Sequence, residues 1–405
     1  MALASICAFT LSQNNPDYIV ICSRGEVQCP TSLREDNRVK SERKFFASLQ
    51  AGRGIAAVAV VVHHAADYLG DPRFWANDWY TKHFEFGAFG VEFFFVLSGV
   101  VILLAHWEDQ GEIHSLRNYA VRRIKRIYPV YWIVLAVALS VFHLKSTLGA
   151  GFERDGWVIL SSILLIHLGS LQTTIHVAWT LFHEIMFYAL FGAVIVSRSF
   201  GYALLGLWFC ASAAMLIAPF GGPFLHEYLS PLHLLFAFGM LIAVLIRTEI
   251  GLKPGMFLIA GILLLVYACG WTIQHGALPD MNCSFLAGIA SFFIVLDLML
   301  FEREGRLKVP NLLNFLGDAS YSIYLVHFPF LSITARVSFL LSQRIGAPLW
   351  LWLVLQVLLA VAVGIGFHLA IEKPLLRQFS GKRKKRILMP IVVAGEQRQD
   401  GLNLQ

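Results

Sequence analysis

Apolar runs of sixteen to twenty-three residues recur from about residue 54 to about residue 370, separated by short polar stretches. A helix of about 20 apolar residues crosses the roughly 30 Å hydrocarbon layer of a bilayer. Inside lipid such a helix satisfies its own backbone hydrogen bonds. Membrane β-strands would give short alternating segments, and these runs do not alternate. The pattern predicts spans at 50–69, 87–106, 127–144, 175–196, 202–218, 231–246, 255–273, 283–301, 315–334 and 348–370. One further run, Trp157–Leu168, has only twelve residues. The expected fold is an all-α integral membrane bundle of about ten transmembrane helices, with 157–168 as one short re-entrant or interfacial segment.

Charge decides between ten and eleven crossings. With ten, and a cytoplasmic N-terminus, the inward-facing regions through Arg386 hold 24 Lys and Arg, and the outward-facing regions hold 6. An extra crossing at 157–168 would turn the run Lys382–Arg386 outward, against the positive-inside bias. Both termini are therefore expected in the cytoplasm. Residues 1–45 read as an N-terminal extension, disordered or ahead of the true start, without the basic n-region and cleavage site of a signal peptide. Residues 46–378 form the membrane domain, and 379–405 a basic, then polar, tail.

Composition agrees. Only 14% of residues are charged and 57% are hydrophobic, where a soluble domain averages about 25% charged. The six cysteines are scattered without a CxxC or Cys/His cluster, so neither a zinc site nor a disulfide framework is expected. The net charge of +6 reflects cytoplasmic loops and not a nucleic-acid partner.

Titratable side chains inside spans are expensive and point to function. Span one carries Arg53, His63 and His64. Eleven residues advance a helical wheel by about 1100°, within about 20° of three whole turns, so Arg53 and His64 share a face about 16 Å apart. His63 points away from it. A neutral imidazole in a desolvated site suits removal of a hydroxyl proton; the plain alternative is a histidine tied to a backbone carbonyl. Span four carries Glu184, as an interhelical tie or as the carboxylate that orients a histidine. At the inner end of span three, Arg123 and Arg126 share a face if helical, and such a pair grips phosphate; flanking charge against lipid headgroups is the ordinary reading. Glu92 and Ser98 lie on span two beside Gly99, whose small size allows close helix approach. Ser320, Tyr324 and His327 follow i, i+4, i+7 spacing and line one face of span nine, a cavity wall or a hydrogen-bonded seam.

Taken in order, these stretches resemble the acyltransferase-3 family of membrane O-acyltransferases. Arg53 and His64 meet its Arg-x10-His pattern, and Gly90 to Gly99 its Gly-Val-x-x-Phe-Phe-x-x-Ser-Gly pattern. Arg123 and Arg126 match its Arg-x-x-Arg pair. Trp179 to Tyr188, Ser320 to His327, and Glu372-Lys-Pro374 match the remaining three motifs. The span-four wording is most similar to rhizobial exopolysaccharide acetyltransferases. Two positions depart: Ile185 stands where many members have a second Glu, and Glu92 replaces the commoner Asp. The resemblance implies an acyl donor of the acetyl-CoA type, used as a substrate with no tightly bound cofactor. It also implies a glycan or glycolipid acceptor, with polysaccharide-synthesis machinery as a potential partner. His64 and Glu184 become the expected catalytic pair, Arg53, Arg123 and Arg126 the donor-binding set, and Glu92, Ser98, Ser320, Tyr324 and His327 cavity-lining or structural residues.

The rival class is a polytopic transporter or flippase of a sugar or lipid intermediate, which would share ten spans and midplane polar groups. The spans show no inverted repeat, and arginines clustered at one face suit an anionic cofactor better. A membrane sensor or scaffold leaves the buried His64 and Glu184 without a purpose.

Overall fold

The computed structural model describes residues 46–144, 151–248, 250–275 and 281–379. The extension 1–45 and the tail from 380 lie outside the described residues. These are all helix and loop, with no strand. The long helices are α1 (Ala47–Gly70), α3 (Gly90–Ala105), α4 (Ile113–Leu144), α6 (Trp179–Val196), α7 (Arg198–Ile217), α9 (Leu234–Arg247), α10 (Leu258–His275), α11 (Met281–Arg303), α12 (Asn311–Ser342) and α13 (Leu349–Phe367). Shorter helices are α2 (Asp78–Phe84), α5 (Gly156–Leu164), α8 (Pro223–Tyr228) and α14 (Lys373–Phe379).

Nine helical stretches among the described residues are long and apolar enough to cross a membrane. α1 adds a tenth of comparable length, 24 residues. It is less apolar because it carries Arg53, His63, His64 and Asp67, and it lies in the interior with α12 as its principal neighbour. Its first turn has no side-chain cap of its own. Glu302, at the end of α11, serves instead, accepting from the backbone N–H of Ala47 at 2.6 Å and of Ser48 at 2.8 Å. An acceptor there satisfies the orphan donors of a helix start, and its charge suits the dipole. This marks one end of the bundle, which also holds Arg247, Arg303 and the first turns of α4. We refer to it as the basic end.

Small residues set how closely helices approach. A Cβ on Gly239 would stand 1.9 Å from the carbonyl oxygen of Val96, and one on Gly99 2.2 Å from that of Phe236. α3 and α9 therefore touch backbone to backbone, the close packing anticipated for Gly99.

Several helices outrun their apolar stretches. α4 begins at Ile113, fourteen residues before the apolar run, so Arg122–Arg126 are helical and not a flank. Polar first turns that project beyond the hydrocarbon layer cost nothing in hydrogen bonding, so the helix continues. α12 extends likewise to Ser342.

The short run at 157–168 forms a brief helix, α5, after which the chain turns back. Asp155 caps α5, accepting from the N–H groups of Trp157 and Val158. The helix ends beside the middle of α4, where Leu165 adopts φ 53°. Its last carbonyls have no partner within the helix. Three α4 side chains meet them: the Tyr131 hydroxyl donates to Ser162 at 2.8 Å, the Trp132 indole to Ile163 at 2.9 Å, and the Tyr128 hydroxyl to Leu164 at 2.7 Å. The chain then returns in extended form, its N–H groups at Leu168 and Thr174 donating to Ser161 and Ser162 hydroxyls.

Candidate active site

α1, α3, α4, α6 and α12 enclose a cavity of about 110 Å³ toward the basic end. That is room for several waters or a short acyl group. Arg53, Ser98, Arg123, Arg126, Glu184, Tyr188, Ser320 and Tyr324 all line it. Helical spacing explains part of the gathering: Ser320 and Tyr324 are four apart on α12, and Glu184 and Tyr188 four apart on α6.

Each guanidinium has a fixed partner. Arg53 Nε donates to Ser320 Oγ at 3.3 Å. Arg123 Nη2 donates to His106 Nε2 at 2.9 Å, while its carbon lies 5.6 Å from the Tyr188 ring centre. Its Nε is buried and unpartnered, a donor left pointing into the site. Arg126 Nη1 lies 3.5 Å from Glu372 Oε1. Glu372 is fully buried, and its other oxygen accepts from Ser322 Oγ at 2.6 Å and from His368 Nδ1 at 2.8 Å. A π-turn at His368–Glu372 gives the helix this register. Glu184 accepts from Ser98 Oγ at 3.0 Å and from the Tyr188 hydroxyl. Three cations around two carboxylates leave net positive charge, matched to an anionic ligand.

His106 sits in the loop after α3, with Asp109 Oδ2 2.7 Å from its Nδ1. Burial holds it below the ordinary imidazole range, against the opposing pull of Asp109. It is thus neutral, donates to Asp109 and accepts from Arg123.

His64 lies elsewhere. Three turns along α1 from Arg53, it joins a cluster toward the opposite end. Its ring stacks on His327 with centres 5.4 Å apart and contacts Phe328 and His176 at 5.0 and 6.1 Å. Its Nδ1 is 3.3 Å from Asp67 Oδ2, and His63 Nε2 is 3.5 Å from the same oxygen. His327 is fully buried, bonded through Nδ1 to the Ile323 carbonyl, with Nε2 unpartnered.

Of the residues singled out in the sequence, seven therefore share the cavity, and His64 pairs with His327. Glu92 stands apart, buried and hydrogen-bonded to Ser284 on α11. Glu184 and His64 are not in contact; the carboxylate beside His64 is Asp67. Asp67, His176 and His106 were not anticipated. Asp67 had a legible signal, since it follows His63 by four residues and His64 by three, both same-face spacings. Nothing in the sequence joined Arg126 to Glu372.

The described residues thus form an all-α multi-pass bundle that holds a cationic cavity and an imidazole cluster. The comparisons name the class. The acyltransferase domain of the acyltransferase-3 family matches residues 46–369. The chain belongs to that family and is an O-acyltransferase. It is 29% identical over 311 residues to the exopolysaccharide production protein ExoZ of Rhizobium meliloti, covering 74% of this chain and 93% of that protein. It is 27% identical over 391 residues to the acyltransferase MdmB of Streptomyces mycarofaciens, covering 83% and 93%. Over 168 residues it is 27% identical to the peptidoglycan O-acetyltransferase OatA of Listeria monocytogenes, covering 38% and 25%. No solved structure matches the chain.

Proposed function

We propose that this protein moves an acetyl or similar short acyl group from acyl-CoA to a hydroxyl of an exopolysaccharide, lipopolysaccharide or lipid-linked sugar. In this reading it sits in a bacterial inner membrane with its basic end in the cytoplasm. Arg123 and Arg126 hold the donor's phosphates, with Arg53 and Glu184 deeper along its path. The thioester arm extends along α1 from the arginines toward His64, an interval of about 16 Å by helical rise. His64 then acts as general base on the acceptor hydroxyl, or takes the acyl group itself before passing it on. Asp67 is a positioning residue: by accepting at Nδ1 it leaves Nε2 free for the reaction and stabilises the protonated ring. The observation that carries the reading is one helix bearing both a guanidinium of the cationic cavity and an imidazole with its own carboxylate.

The glycan acceptor draws support from the similarity to ExoZ, an exopolysaccharide production protein. The test is transfer of label from radioactive acetyl-CoA to glycan by membranes with and without the protein. Protein-dependent O-acyl label is expected. Movement of unmodified sugar or lipid without label transfer would identify a transporter instead.

A further inference from the structure

The imidazoles of α1 have a second chemistry available. His63 Nε2 and His64 Nδ1 stand 3.5 and 3.3 Å from one oxygen of Asp67, and the three ligand atoms all lie within 4.8 Å of one another. Among the described residues no other group of three or more His, Cys, Asp or Glu converges in this way. The His64 contact is a long hydrogen bond, and both separations are longer than the usual N–H···O distance of about 2.9 Å. They also match another geometry. A tetrahedral ion with bonds of about 2.1 Å holds neighbouring ligand atoms about 3.4 Å apart. Two edges of that tetrahedron are thus already present, at i, i+1 and i+4 positions of a rigid helix. Two neutral imidazoles and a carboxylate are the donor set that selects zinc-class ions over magnesium and calcium, which take oxygen. The Asp67 side chain is 37% exposed, and His176 is exposed nearby, with its ring 6.1 Å from that of His64. A cation therefore has a route in, and a fourth ligand or a water has room.

We propose that His63, His64 and Asp67 form a binding site for a zinc-class divalent ion, and that the bound ion switches acyl transfer off. The metal takes the Nδ1 lone pair of His64, and the ring proton that Nδ1 otherwise shares with Asp67 is replaced, through solvent, by one on Nε2. Nε2 then holds a proton and has no free lone pair, so the ring ceases to be a base. The inhibitory half rests on the role proposed for His64; the binding half stands on geometry alone.

The experiment uses the untagged full-length protein in lipid nanodiscs, titrated with Co²⁺ and separately with Zn²⁺. One equivalent of Co²⁺ should give visible tetrahedral absorption bands, and Zn²⁺ should displace it. His63→Ala should weaken binding about tenfold or more, since one of three ligands is gone. Absence of the bands, or equal binding by His63→Ala, overturns the site. Zn²⁺ should also inhibit acyl transfer in the wild type, with His63→Ala active and resistant at the same concentration. Equal inhibition of both proteins overturns the assignment of inhibition to this site. Stoichiometric Zn²⁺ binding with undiminished activity leaves the site standing, overturns the inhibition, and removes His64 from the chemistry.

Discussion

The arginine cavity and the histidine cluster share two helices, α1 and α12, and almost nothing else in character. In the cavity three guanidinium groups and Glu184 dominate, while Thr180, Tyr321 and Tyr324 bond to one another or to backbone carbonyls. Each guanidinium has a fixed partner on another element: Ser320, His106 or Glu372. Around His64 the contacts are ring faces, with a single carboxylate shared between two imidazoles. The first arrangement fixes cations before a ligand arrives, which favours binding of an anion. The second leaves nitrogen lone pairs uncommitted, which favours proton or acyl movement. Separation keeps the two compatible, because a base beside three guanidinium groups would be held unprotonated by their charge and lose its use as a proton acceptor.

The largest effect that probes this division is His64→Ala. Loss of a general base lowers turnover about 10²–10⁴-fold, so acyl transfer by membranes of equal protein content should nearly vanish. Full activity would end the case for His64. Next come Arg123→Ala and Arg126→Ala. A hydrogen bond to a charged group is worth about 1.5–3 kcal/mol, so the KM for acyl-CoA should rise roughly tenfold to a hundredfold with kcat little changed. A fall in kcat alone would move the arginines from binding into chemistry. Third, Asp67→Asn should lower kcat about tenfold at constant donor KM, as expected for loss of a charge-assisted contact, whereas Glu184→Gln should act mainly on donor KM. The reverse pattern would mean that Glu184 reaches His64 in the working enzyme.

A smaller effect concerns pH. His106 has a depressed pKa because it is buried, so its neutral form holds Arg123. That grip is complete above the ordinary imidazole value of about 6.5 and is lost as pH falls through the depressed one, where a charged ring faces a guanidinium. The KM for acyl-CoA should therefore stay flat through neutrality and rise only in acid. His106→Gln should flatten the acid limb. The smallest effect is His63→Ala in metal-free buffer, within about twofold of wild type, since its ring points away from the Arg53 face of α1.

Much of this was legible in the sequence because it is local. Span lengths and the short 157–168 run depend on contiguous residues, and they yielded the all-α bundle. Five of the six motifs supplied the seven singled-out residues that line the cavity. What was not legible depends on which helices touch. The sequence offered Glu184 as the carboxylate for His64, because both are costly in lipid; α6 instead turns Glu184 toward Ser98 and Tyr188. The partner of His64 is Asp67, three residues away on the same helix, a short-range spacing that the Arg-x10-His pattern does not contain. Glu372 reaches Arg126 only because a π-turn adds its extra residue at that point, and no periodicity in the sequence marks it.

The short helix α5 has a consequence for how the molecule is made. Its nine residues cannot span a bilayer, and its final carbonyls find their partners only on Tyr128, Tyr131 and Trp132. The segment therefore has no stable home in lipid until α4 is already in place. α4 ends at Leu144 and α5 begins at Gly156, so the template leaves the translocon first. Insertion order is thus written into three aromatic side chains, and chains carrying Tyr131→Phe should linger as partly inserted, protease-sensitive intermediates.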